Sequence, residues 1–105
     1  MIQFERVFEK PLDKSEAKHE LNRCLEEGTV VWVKHFREEL ANDRLTMQDV
    51  IRVCRSGAIT VPPEPELKTG QWRYRIEGNT ADGRRAAVVF TFRRGSAIFI
   101  TVFQR

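Results

Sequence analysis

The chain has 105 residues and a formal net charge of +3, with 41% hydrophobic and 31% charged residues of both signs. That is enough for one modest core and too little for two, so a disordered chain and multi-step chemistry on a bound cofactor are both excluded. The charge is unevenly divided: residues 1–70 carry eleven Lys and Arg against thirteen Asp and Glu, whereas residues 71–105 carry seven arginines against two acids.

The opening "MIQFERVFEK" has charge at every turn and no apolar core of signal-peptide length, and no transmembrane run follows. A cytoplasmic protein without a membrane partner is expected. From Asp13 to Gly28, Ala17, Leu21, Cys24 and Leu25 share one helical face. Asp13 with Glu16 three residues later marks the start, and Gly28 marks the stop. "TVVWV", residues 29–33, reads as a short strand or extended connector. A second helix is predicted from about His35 to Asp43. A third begins at Thr46, capped with Asp49, and turns Val50, Ile51, Val53 and Cys54 inward until Gly57. Cys24 and Cys54 lie in apolar stripes without metal-ligand or redox spacing, so they are expected to be buried free thiols, with no metal and no cofactor.

"VPPEPE", residues 61–66, can sustain neither a helix nor a central strand and reads as a stiff connector; its proline spacing superficially matches an SH3 ligand. Three alternating runs follow, "QWRYRIEG", "RRAAVVFTFR" and "SAIFITVFQR", separated by the turn sequences "NTADG" and "RG". Trp72, Tyr74 and Ile76 share one face of the first run, and Arg73, Arg75 and Glu77 the other. The expected fold is a single α+β domain over residues 1–105, with N-terminal helices packed on one face of a small antiparallel sheet, a C-terminal three-strand meander.

All seven cations of the C-terminal third are arginine, whose planar fork matches phosphate bidentately. Two readings stand side by side: a phosphate-bearing partner, RNA or DNA before a membrane, or arginines that only solvate the open face of a sheet. His35 likewise is either a proton-transferring group or a helix cap. His19 falls on the polar side of the first helix.

The order of helix, histidine-led helix, capped helix and strand meander resembles a bacterial family of small domains of unknown function with a "His-Ala-x-x-Arg-Met-x-x-Arg-Gly-Ile-Ser" type motif. The matching stretch is "HFREELANDRLTMQDVIRVCRSGAI", with His35, Leu40, Leu45, Thr46, Asp49, Val50, Val53 and Gly57 in register. "YRIEG", "DGRRAAVVF" and "AIFITVF" fit the family's later half. Such domains are similar to the MqsR, RelE and BrnT group of toxins.

The resemblance implies a RelE/MqsR-like domain acting as the toxin of a type II toxin–antitoxin system. That would be a metal-independent ribonuclease on mRNA, ribosome-bound or free, held inactive by a cognate antitoxin protein. The alternative is a non-catalytic RNA-binding or regulatory module of the same fold. At the two motif arginines this chain has Glu39 and Asp43, with cations at Arg37 and Arg44 instead, so a phosphate role there is shifted or lost. Metal-free cleavage needs a base, an acid and cations for transition-state charge. The expected catalytic set is His35, Arg73, Arg75 and Arg93, with Arg37, Arg85, Arg94 and Arg105 contacting RNA.

Overall fold

A computed structural model of the chain describes residues 10–105, so the expectations for the N-terminal decapeptide fall, apart from Lys10, outside the described residues. Helix α1 spans Lys14–Glu27. Asp13 accepts the Glu16 N–H at 2.8 Å while Glu16 accepts the Asp13 N–H at 3.0 Å, the reciprocal pair that satisfies two otherwise orphan donors. It ends at Gly28, whose φ of 76° lies in the left-handed region that glycine enters without strain. Helix α2 spans Lys34–Asn42 and helix α3 Met47–Ser56, the latter opened by a Thr46–Asp49 capping box.

The strands are β1 (Val30–Trp32), β2 (Glu64–Glu66), β3 (Gln71–Asn79), β4 (Arg85–Arg93) and β5 (Ser96–Gln104), in the sheet order β1-β5-β4-β3-β2. The meander expected from the sequence is its centre, β3-β4-β5. The sheet is nonetheless five-stranded and mixed, because β1 adds in parallel to β5 and β2 adds antiparallel to β3. Neither addition was expected, for a physical reason. Each flanking strand is three residues long, and its pairing partner lies far away in sequence. Pro65 is accommodated because β2 is an edge strand, where a missing donor breaks no interior ladder. The β4–β5 turn holds Arg94 at φ 53° and Gly95 at φ 80°, as a tight two-residue hairpin demands.

A register shift separates Val89, paired with Thr101, from Phe90, paired with Phe99, so Ile100 is the extra residue of a bulge. The bulge lets Phe99 and Val102, three apart, both face the helices. On that face Tyr74, Ile76, Ala86, Val88, Phe90, Ala97, Phe99 and Val102 join Ala17, Leu21 and Cys24 of α1, Phe36 and Leu40 of α2, and Val50, Val53 and Cys54 of α3 in one core. Burial pushes the Cys54 thiol up to about 12, so it is inert as a nucleophile at neutral pH.

Helices α1 and α3 are joined by polar bonds as well as by packing. The Lys18 ammonium donates to the Gly57 carbonyl at 2.7 Å, and the Asn22 amide to that of Cys54 at 3.0 Å. Both acceptors are carbonyls at the C-terminal end of α3, where a cation is favoured. Among the described residues, no helix is long and apolar enough to cross a membrane.

Candidate functional site

Strand alternation sends Arg73, Arg75 and Glu77 of β3 to the face opposite the core, together with Arg85, Ala87, Val89, Thr91 and Arg93 of β4. Strand β5 adds Thr101 and Phe103 through their pairing with Val89 and Ala87. The helical residues of the core all belong to the other face. Ala87 is fully buried yet lies outside that core, screened by its longer neighbours. The outer face is thus a sheet surface with half-buried Val89 and Phe103 in the middle and arginines toward its ends.

Several of these arginines are already engaged. Arg73 meets Glu66 of β2 at 2.5 Å, and Arg75 meets Glu77 at 2.9 Å. Arg105 approaches the other oxygen of Glu77 at 3.6 Å, so one carboxylate is shared by two guanidinium groups. Only 11% of the Glu77 side chain is exposed, and the buried Nε of Arg75 has no hydrogen-bond partner among the described residues. Among the described residues the Arg85 guanidinium reaches the Asn79 side chain, at 3.4 Å, and no carboxylate. Arg93, Arg94 and Arg37 are exposed and have no ion-pair partner among the described residues.

Arg84 serves a structural purpose. Its guanidinium donates to the carbonyls of Asp43 and Arg44, both at 3.0 Å, and pairs with Asp82, pinning the α2–α3 loop to the β3–β4 turn. Thr80 and Arg84 together hold the Asp82 carboxyl below its usual value.

His35 stands apart from the arginine face. It opens α2 with its side chain 65% exposed, and Nε2 lies 3.4 Å from Glu39 one turn on. Val33 takes the N-cap position, so His35 is not the cap. Glu39 in turn accepts from the Thr101 hydroxyl and from the Val102 N–H at 3.2 Å, and Asp43 accepts the Gln104 N–H at 3.3 Å. Strand β1 pairs only with residues 97–99, which leaves the rest of that β5 edge without a neighbouring strand. Two carboxylates one helical turn apart take the place of a strand there. Glu39 and Asp43, at the positions of the motif arginines, are therefore committed to the sheet edge. The register brings Arg75 and Arg105 together at Glu77. His35 meets Glu39, itself bound to the β5 backbone, and among the described residues its one charged neighbour is that carboxylate.

Glu77, placed from the sequence on the face of Arg73 and Arg75, and Arg84 were not among the expected site residues. Glu77 had a signal: it is the only acid within the three C-terminal strands, since Asp82 falls in a turn. Arg84 had none, because its partners are backbone carbonyls some forty residues away.

Residues 32–104 match the family described as "Domain of unknown function (DUF4258)", and the chain belongs to that family. No curated protein and no solved structure matches the chain.

Proposed function

We propose that this member of the DUF4258 family is the toxin of a type II toxin–antitoxin pair with a RelE/MqsR-like fold. In this reading it is a metal-independent endoribonuclease that meets mRNA with the outer face of its sheet and is restrained by a cognate antitoxin protein. The observation that carries the reading is that face itself. It presents Arg73, Arg75, Arg85, Arg93 and Arg105 around apolar side chains and stays outside the helical core, an arrangement suited to a phosphate backbone with bases laid on a sheet.

Purified protein incubated with mRNA in the presence of a chelator, alone and on translating ribosomes, is expected to give discrete cleavage products. Intact RNA in both cases overturns the reading. Contact with phosphates also predicts a steep salt dependence. Arg85→Ala with Arg93→Ala, chosen because neither arginine is paired with a carboxylate among the described residues, should flatten the log K against log salt slope for single-stranded RNA by about 1.4. An unchanged slope in the folded double variant would leave the arginines as solvating groups.

A second reading, a non-catalytic RNA-binding or regulatory module, is favoured by one placement. His35 is tied to Glu39 at the sheet edge and does not stand among the arginines. Both readings expect His35→Asn to fold, and the ribonuclease reading adds an expectation for its cleavage. An exposed pair of this kind is worth at most about 0.5 kcal/mol, so the variant should fold like the parent, and cleavage should proceed at the parent rate. A rate lower by about 10² or more would return His35 to the chemistry.

A further inference from the structure

We infer that Glu77 is the proton acceptor in RNA cleavage by this chain, with Arg75 and Arg105 as the cations that hold the scissile phosphate; the inference rests on the ribonuclease reading above. Three features of the outer face carry it. The Glu77 carboxylate is the only acid projecting from β3, β4 or β5 there, and it is nearly buried, with a tenth of its surface open. Its two oxygens are addressed separately, one by Arg75 at 2.9 Å and the other by Arg105 at 3.6 Å. A phosphate entering between these guanidinium groups therefore lies beside the carboxylate. Among the described residues the buried Arg75 Nε has no acceptor, so this guanidinium has a donor to spare if it turns toward a phosphate.

The surroundings provide room. Glu77 pairs across the sheet with Ala87, and Ala87 with Phe103, so a small side chain separates the carboxylate from an aromatic ring in the same row. The ring can stack a base while the neighbouring ribose 2′-OH points at Glu77. On the other side, Glu77 shares with Asn79, Arg85, Arg52 and Ser56 a cleft of about 340 Å³, space for the adjoining nucleotide.

In the step itself, the 2′-oxygen forms a bond to phosphorus and its proton passes to a Glu77 oxygen. The bond from phosphorus to the 5′-oxygen breaks. That oxygen takes a proton from water, and the hydroxide left behind recovers the proton from Glu77. The products are a 2′,3′-cyclic phosphate and a 5′-hydroxyl, with no net proton gained or lost. Arg75 and Arg105 face the charge that builds on the non-bridging oxygens.

The test compares the full-length parent with Glu77→Gln on mRNA for cleavage and on a 2′-deoxy-substituted oligonucleotide for binding. Glu77→Gln should bind at least as tightly as the parent, because both arginines lose a competing carboxylate, and cleave at least about 100-fold more slowly. Parent products should end in a cyclic phosphate. Parent-like cleavage by Glu77→Gln overturns the assignment and leaves the ribonuclease reading standing, as does joint loss of binding and cleavage in a folded variant. A parent that leaves RNA intact overturns both. If Glu77→Gln does not fold, Glu77→Asp decides: it keeps the carboxylate but draws it back by one methylene, so cleavage should slow at least about tenfold with binding retained, and parent-like cleavage overturns the assignment.

Discussion

Replacing Gly57 by alanine should lower the stability of this domain by about 3 kcal/mol or more, although the backbone there is open to any residue. Gly57 has φ −81° and ψ −175°, ordinary extended values. The obstacle is space. A Cβ at this position would lie 2.4 Å from the carbonyl oxygens of both Glu77 and Val53. Neither oxygen can yield cheaply: that of Glu77 accepts the Ala58 N–H at 2.8 Å, and that of Val53 accepts the Gly57 N–H at 2.8 Å. Gly78 is its counterpart, since a Cβ there would meet the Gly57 Cα at 2.9 Å. The two glycines let the end of α3 lie directly on β3. Gly83→Ala is the control, with positive φ but nothing within 4 Å, so it should cost only about 1 kcal/mol of backbone strain. In thermal melts the Gly57 variant should lose roughly 12–24 °C. A loss no greater than that of Gly83→Ala would mean that α3 and β3 separate at little cost.

Phe99→Ala should be comparably severe, at about 3–5 kcal/mol. Phe99 is fully buried and stacks on Trp32 with ring centroids 4.6 Å apart and planes within 11°. It also lies 5.4 Å from Phe36 and 6.4 Å from Phe90, so one ring joins β1, α2 and β4. Truncation leaves a cavity at the point where the three-residue strand β1 is held, and Trp32 loses its stacked neighbour. Phe103, half-buried on the outer face, should cost only about 1 kcal/mol when truncated. Equal denaturation midpoints for the two alanine variants would contradict this placement of the core.

The helices and the central meander were legible in the sequence because their causes are local. Asp13 with Glu16 and Thr46 with Asp49 place two capping boxes by spacing alone, and Gly28 and Gly57 place the stops. The alternation of Trp72, Tyr74 and Ile76 against Arg73, Arg75 and Glu77 separates the two faces of β3 without knowledge of its neighbours. The candidate site was legible as a composition, an arginine-rich third, and not as an arrangement. Whether two guanidinium groups meet depends on cross-strand register, and the bulge at Ile100 that sets part of that register leaves no mark in the pattern of β5.

What the sequence by itself determined is therefore the set of helices, the three long strands, and which side chains of β3 turn toward the core, all governed by interactions within a few residues. Only the tertiary structure decided that β1 and β2 extend the sheet, that Glu39 and Asp43 are held by the backbone of β5, and that Arg75 and Arg105 share Glu77. The Arg105–Glu77 pair spans twenty-eight positions, and the bonds from Glu39 and Asp43 to β5 span more than sixty. At those separations, spacing along the chain carries no information about distance in space. The close contact of Gly57 with Gly78 brings the end of α3 onto β3, and the hydrogen-bond ladder then sets which side chains face one another.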